Sequence, residues 1–178
     1  MRCFIAIDIP YEAKEIIKEI HTIIKDKNIK QVETENVHIT IKFLGEIDDV
    51  TLKKVDNTLK TIIFKKFDVS IKKPGYFSNR GNPTVFFLDI FSEKLKELAS
   101  IVEEKLYKIG IPKESRDFKP HLTLARVKGI IDKNITKNFL SYKTKDITFN
   151  VDKISLYESR LTPAGPIYKL ISSYNLYE

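Results

Sequence analysis

Two short segments of this sequence could do chemistry, and they share one pattern. Residues 38–41 are His-Ile-Thr-Ile and residues 121–124 are His-Leu-Thr-Leu, so each is His, aliphatic, Thr, aliphatic. Side chains alternate between the two faces of a β-strand, which places each His and its Thr on one face and the aliphatic residues on the other. Each segment can therefore bury an apolar face and present an imidazole beside a hydroxyl, about 6–7 Å apart at the backbone.

The two copies also occupy matching places in the chain. His38 and His121 are 83 residues apart in a chain of 178, which is close to half its length. A Gly follows each His within eight residues, and an Asp suited to capping a helix follows each Gly. We therefore expect two related halves that bring one His-Thr pair each to a shared cleft.

Two histidines that face each other across a cleft can work as an acid–base pair. An unperturbed imidazole titrates near ~6.5, so near neutral pH one ring can accept a proton while the other donates one. Phosphodiester chemistry needs a base for the attacking oxygen and an acid for the departing oxygen. The hydroxyls of Thr40 and Thr123 are suited to binding the non-bridging phosphate oxygens. We predict His38, His121, Thr40 and Thr123 as the catalytic residues.

Basic and aromatic residues near the motifs are candidates for substrate binding. Lys42 lies four residues after His38, on the same face of a regular strand. Arg126 lies five residues after His121, on the opposite face, so a twist or bulge must turn it towards a phosphate. Aromatic side chains stack on nucleobases with little sequence preference. The further basic candidates are Arg80 and Lys119, and the aromatic candidates are Phe43, Tyr157 and Phe4.

Other functions fit the sequence less well. A metal site is the main chemical alternative, because His is the commonest metal ligand, but neither motif has a His or carboxylate at the next position on its face. The sequence has no Gly-rich phosphate loop and no Ser or Cys nucleophile flanked by glycines. We expect no metal and no cofactor. The third histidine, His21, lies at the edge of a helical apolar stripe and is predicted to be structural.

Composition indicates a folded protein of ordinary type. The chain is 42% hydrophobic and 31% charged, and no apolar stretch approaches the ~20 residues of a membrane span. The one cysteine, Cys3, excludes an internal disulfide, which fits a reducing cytoplasm, so we expect a cytoplasmic protein. We expect no membrane partner. A net charge of +7 is compatible with a polyanionic partner such as nucleic acid.

Hydrophobic periodicity predicts alternating helices and strands. Helices are expected over 11–27, from 48, from 92 and over 132–140; strands over 4–7, 36–44, 67–71, 84–90, 147–157 and 167–176; and a turn and loop over 72–83. This pattern predicts an α+β fold with two pseudo-symmetric lobes. Each lobe is an antiparallel sheet with helices on the outside, and the cleft lies between the sheets. Residues 1–178 are expected to form a single domain.

The motifs and their surroundings resemble a known family over nearly the whole chain. The resemblance is carried by residues 2–10 (RCFIAIDIP), 36–46 (NVHITIKFLGE), 77–83, 117–126 (DFKPHLTLAR), 156–159 and 165–168. This sequence is similar to the RNA 2′,3′-cyclic phosphodiesterases, also called 2′-5′ RNA ligases or LigT-like proteins, of the 2H phosphoesterase superfamily. Family members often carry Trp where Val32 and Phe87 stand, and often Pro where Ser78 stands, but this chain has no Trp.

The resemblance implies an activity and a role for each histidine. The expected reaction is hydrolysis of an RNA 2′,3′-cyclic phosphate end to a 2′-phosphomonoester, with ATP-independent 2′-5′ ligation as a second activity. It implies that His38 is the proton donor and His121 the proton acceptor, with RNA as the partner. We expect the protein to be a monomer. Two alternatives remain open: an enzyme of the same superfamily that acts on small cyclic nucleotides, and a non-catalytic RNA-binding protein.

Overall fold

Three of the four α-helices begin where a polar side chain caps them, whereas the first begins after Pro10 without such a cap. Asp48, Ser92 and Asp132 each accept a hydrogen bond from a backbone N–H in the first turn of the following helix. The computed structural model describes all 178 residues, as nine β-strands, four α-helices and a 3₁₀ turn at Thr34–Asn36. In chain order they are β1 (Arg2–Asp8), α1 (Tyr11–His21), β2 (Ile29–Gln31), β3 (His38–Glu46), α2 (Asp49–Leu59), β4 (Phe67–Asn79), β5 (Asn82–Phe91), α3 (Glu93–Tyr107), β6 (His121–Val127), α4 (Lys133–Leu140), β7 (Ile147–Val151), β8 (Lys153–Thr162) and β9 (Gly165–Asn175).

The strands form one antiparallel sheet with the motif strands at its centre. The order is β7-β4-β5-β6-β3-β1-β8-β9, and β2 pairs with the far end of β6. We call β3, β1, β8 and β9 the first lobe, and β6, β5, β4 and β7 the second lobe. The lobes meet through a single residue pair, Ile39 with Leu122. The predicted α+β class with antiparallel strands is confirmed, and the two predicted sheets are continuous at this pair.

The two halves repeat one order of elements. Apart from the short strand β2 and the 3₁₀ turn, the first half runs β1-α1-β3-α2 and the second runs β5-α3-β6-α4. In each half the first strand lies beside its motif strand, and the helices bury apolar residues in one core of 37 residues. None of the helices is long and apolar enough to cross a membrane.

Both motif strands carry a bulge at the same place. The extra residue is Ile41 on β3 and Leu124 on β6, each three positions after the motif histidine. One extra residue shifts the alternation, so the side chains beyond it exchange faces. Lys42 and Ala125 therefore turn into the core, while Phe43 and Arg126 turn outwards.

The helix predicted over 11–27 ends at His21. Two other predicted segments were wrong because strand pairing outweighed local sequence. The turn and loop predicted over 72–83 are parts of β4 and β5, since a bulge after Ile71 accommodates Pro74. The chain reverses instead at Arg80 and Gly81, whose φ angles of 52° and 81° suit a two-residue hairpin turn. The strand predicted over 147–157 breaks at Asp152 into β7 and β8, which lie in opposite lobes.

A buried ion pair joins the first lobe to the second. The Lys42 ammonium lies 2.6 Å from Glu103 Oε1 on α3 and donates to the Pro112 carbonyl at 3.0 Å. Glu103 Oε1 also accepts from the Glu114 backbone N–H. Lys42 therefore connects β3 to the segment that leads into β6, and its predicted place beside His38 on the cleft face is wrong.

We expect Lys42→Met to destabilise the protein, because the Glu103 carboxylate loses its buried partner. The loss should be about 2–3 kcal/mol, less than for a wholly buried pair because the Glu103 side chain is 27% exposed. Adding Glu103→Gln should recover at least half of it. Urea unfolding measures the change, with Lys94→Met, which breaks an exposed pair with Glu97, as the control. Equal losses in Lys42→Met and Lys94→Met would contradict this structural role.

Candidate active site

A cleft of about 550 Å³ opens where β3 and β6 meet. His38, Thr40, His121 and Thr123 all line it. Each His and Thr lies on the face opposite the buried aliphatic residues of its motif, as strand alternation requires. The structure therefore brings together the four residues that the sequence predicts as catalytic.

Both imidazoles are oriented by the same backbone contact. The Nδ1 atom of His38 lies 2.7 Å from the Asn36 carbonyl, and that of His121 lies 2.7 Å from the Lys119 carbonyl. A carbonyl oxygen can only accept, so each Nδ1 carries a proton and donates. In a neutral ring the Nε2 atom then has a free lone pair, which can take or return a proton.

His38 is held in an aromatic enclosure. Phe4 stacks on its ring with centroids 4.8 Å apart, and Tyr168 meets it edge-on at 5.5 Å. The His38 Nε2 accepts from the Thr40 hydroxyl at 2.8 Å when the ring is neutral. Tyr157 stacks on the other side of Phe4 and donates to Asp8, so it supports the enclosure from behind. The prediction that Tyr157 contacts substrate is wrong for this structure, because Tyr157 does not line the cleft.

Burial lowers the pKa of His38 below its ordinary value of 6.5. The Asn36 carbonyl and the Asp8 carboxylate oppose this shift, and a positive charge on His121 adds to it. A phosphate anion between the two rings would favour the charged form of His38.

His121 has different neighbours. Phe77 and Phe87 meet its ring edge-on, at centroid distances of 5.3 and 5.4 Å. The Phe87 ring lies over Gly75, where an added Cβ would come within 2.8 Å of it. Gly75 therefore leaves the space that allows Phe87 to reach His121.

One acidic residue lies beside each motif histidine, and the sequence did not reveal this. Asp8 on β1 is opposite His38, and Asp89 on β5 is opposite His121. Residues directly opposite in an antiparallel pair point to the same face. The Asp8 carboxylate favours the charged form of His38. The signal is not in the local sequence, because it depends on which strands pair and in what register.

The bulges place Phe43 and Arg126 at equivalent positions in the two lobes. Each lies five residues after its histidine and lines the cleft. The Phe43 side chain is 60% exposed, which leaves its ring free to contact a ligand. The two lobes therefore match in His and Thr and differ here, with an aromatic ring in one and a guanidinium in the other.

Other cleft residues were missed or misplaced by sequence analysis. Arg2, Lys30 and Tyr168 line the cleft, and Lys30 is the cross-strand neighbour of Arg126. Arg80 and Lys119, predicted to guide the substrate, do not line it. Lys30 was missed because the three-residue strand β2 is too short to give a periodic signal. No group of three or more His, Cys, Asp or Glu side chains converges into a metal-binding arrangement.

Sequence comparison connects this geometry to known proteins. The chain matches the LigT like Phosphoesterase family over residues 7–87 and again over 89–168, so each half matches separately. The chain belongs to this family. The resemblance predicted from the motifs is confirmed.

Individual relatives are similar over their full lengths. A Methanocaldococcus jannaschii protein named RNA 2′,3′-cyclic phosphodiesterase is 41% identical, covering 98% of this chain and 100% of its own. An Archaeoglobus fulgidus protein of the same name is 36% identical, covering 95% and 97%. A crystal structure of a Thermus thermophilus protein has a TM-score of 0.83 at 26% identity, with 98% and 97% covered. Escherichia coli LigT in its apo form has the same fold, with a TM-score of 0.80 at 22% identity over 99% and 98% of the two chains.

We expect His38 to titrate below 6.5 in the free protein, because burial disfavours its charged ring. The unfolded state then binds more protons, so the unfolding free energy should fall as pH drops through and below 6.5. NMR titration of the imidazole signals measures the pKa, with His38→Gln to assign the resonance. Inorganic phosphate should move the titration upwards. A His38 pKa above 6.5 without phosphate would contradict this description of the site.

Proposed function

We propose that this protein hydrolyses RNA 2′,3′-cyclic phosphate ends to 2′-phosphomonoesters, with His38 and His121 as the acid–base pair. The observation that carries the proposal is the pair of matched His-Thr units on one cleft, each ring oriented through Nδ1. The names of the relatives support this substrate class, since both archaeal proteins are named RNA 2′,3′-cyclic phosphodiesterase.

The proposed reaction is one in-line displacement at phosphorus. Water attacks the cyclic phosphate, and the His121 Nε2 accepts a proton from it. The bond from phosphorus to the 3′ oxygen breaks, and the His38 Nε2 donates a proton to that oxygen, which leaves the phosphate on the 2′ oxygen. Thr40 and Thr123 hydrogen-bond the non-bridging oxygens, where charge increases in the transition state. Every step of this proposal uses side chains of the protein alone.

The difference between Phe43 and Arg126 supports this assignment of roles. Phe43 follows His38 on β3, and its exposed ring can stack on the terminal base. The ribose then lies on the His38 side of the phosphorus, so the 3′ oxygen faces His38 and water approaches from the His121 side. Arg126, together with Arg2 and Lys30, supplies positive charge for phosphate oxygens.

Ligation through a 2′-5′ bond is the same displacement with an RNA 5′-hydroxyl in place of water. His121 takes the proton of the 5′-hydroxyl and His38 protonates the departing 3′ oxygen, so both histidines are needed and ATP is not. One chain supplies both histidines, so we propose that a monomer is sufficient. The single cysteine, Cys3, is buried, in keeping with a reducing cytoplasm as the place of action.

We expect hydrolysis in the presence of EDTA, and loss of about 10²–10⁴-fold in kcat for His38→Ala and His121→Ala, the usual span for acid–base catalysis. The substrate is an oligonucleotide with a 2′,3′-cyclic phosphate end, and chromatography identifies the 2′-phosphate product. Asn82→Ala, a change in the β5 hairpin away from the cleft residues, is the control. Activity lost in chelator and restored by a divalent ion would support a metal enzyme, and binding without turnover would support an RNA-binding protein.

We expect Phe43→Ala to weaken use of oligonucleotide substrates, because it removes the stacking surface in the cleft. Loss of a stacked base costs roughly 1–3 kcal/mol, which corresponds to about a 5- to 150-fold fall in kcat/KM. Phe91→Ala, an exposed aromatic outside the cleft, should have little effect. Comparing an oligonucleotide with a mononucleotide 2′,3′-cyclic phosphate separates the RNA substrate from a small cyclic nucleotide. Equal effects of Phe43→Ala and Phe91→Ala would rule out this contact.

A further inference from the structure

The bulge on β6 is held from outside its own half of the chain. Its extra residue is Leu124, whose carbonyl accepts from the Val32 backbone N–H at 2.9 Å. The same oxygen lies 3.1 Å from the Nε2 atom of His21, the last residue of α1. Because a carbonyl oxygen can only accept, His21 is the donor. The Val32 N–H and the His21 ring therefore both donate to the Leu124 carbonyl oxygen, at the bulge where β6 loses its regular alternation.

His21 is built into this position. Its side chain is buried, and burial lowers its pKa, so the ring donates as a neutral imidazole at neutral pH. The Gln31 side chain on β2 donates to the carbonyls of His21 and Ile24 and ties the end of α1 to the same region. This network fits the predicted structural role of His21 and indicates what the residue supports.

The orientation of Arg126 depends on that bulge. In a regular strand it would share the face of the buried Leu122 and Leu124, whereas the extra residue turns it to the cleft. The Arg126 guanidinium makes no hydrogen bond or ion pair within the protein, and its cross-strand neighbour Lys30 has the same charge. The backbone geometry is therefore what directs Arg126 into the cleft.

The first lobe has an equivalent connection. Its bulge at Ile41 is followed by Lys42, which bonds Glu103 on α3. Each bulged motif strand is thus tied to the helix that precedes the motif strand of the other half. Both bulges are therefore held by contacts from the other half of the chain.

We propose that His21 is a positioning residue for substrate binding: its bond to the Leu124 carbonyl fixes the β6 bulge and so holds Arg126 towards the RNA phosphate. The identity of that substrate rests on the proposed function. His21 contacts neither substrate nor the reacting atoms, and it acts through Arg126. Its loss should therefore weaken RNA binding only when Arg126 is present.

The test is a double-mutant cycle read by binding. The proteins are wild type, His21→Leu, Arg126→Gln and the double variant, and the probe is a single-stranded oligonucleotide with a 2′-phosphate end. We expect His21→Leu to raise Kd about three- to tenfold, the worth of one hydrogen bond. The slope of log K against log salt should fall by up to about 0.7, as for the loss of one phosphate contact to single strands. In the Arg126→Gln background the same change should have little further effect.

Two further variants separate positioning from general stability. His21→Gln keeps a donor of similar reach and should restore most of the affinity. Ile17→Val is a buried substitution on the same helix. It is the control for an effect of lower stability alone, because it should lower Tm to a similar extent. If His21→Leu does not fold, the unbranched His21→Met takes its place as the variant without a donor.

Three results would overturn the proposal: an equal effect of His21→Leu with and without Arg126, no rescue by His21→Gln, or the same loss of affinity in Ile17→Val. The cycle needs no turnover. A wild-type protein that binds the probe but does not hydrolyse cyclic phosphate would refute the proposed function. The binding constants of the double-mutant cycle could still be interpreted in that case.

Discussion

The site depends on one backbone junction, the pairing of Ile39 with Leu122 between the two motif strands. These residues share the buried face, so the histidines one position before them share the opposite face, where the cleft opens. The side-chain period of a strand is two, and a slip of either motif strand by one residue would bury its imidazole and expose its aliphatic residues. The apolar core therefore fixes the register that brings the histidines to one cleft. The geometry of the cleft and the burial of the core are set by the same contact.

A bulge then gives each motif strand a second kind of residue to present. Before it, both strands offer the same imidazole and hydroxyl, whereas beyond it they offer Phe43 in one lobe and Arg126 in the other. A cleft with two equivalent histidines could receive a phosphate in either direction. Under the proposed function, the aromatic ring on one side and the guanidinium on the other would distinguish the base end of a nucleotide from its phosphates.

The sequence alone predicted what depends on local periodicity and on repetition. The His-Thr pairs, the α+β class and most helices follow from patterns of two and of 3.6 residues. Features that depend on partner strands were missed or wrong. Lys42 was assigned to the cleft because the bulge before it is visible only in the pairing with β1. Tyr157 was assigned to substrate because the sequence does not show that Phe4 lies between it and the cleft.

The central claim is that the two histidines divide acid and base work on one phosphate, and the pH dependence of single variants tests it most directly. The measurement is kcat/KM for an oligonucleotide 2′,3′-cyclic phosphate in chelator. Wild type should give a bell, because one ring must be neutral and the other charged. The residual rate of His38→Ala should rise with pH and level off, since it needs only neutral His121, and that of His121→Ala should fall as pH rises. A bell-shaped pH dependence of kcat/KM in either variant would contradict the account. So would loss of the same side of the bell, acidic or basic, in both variants.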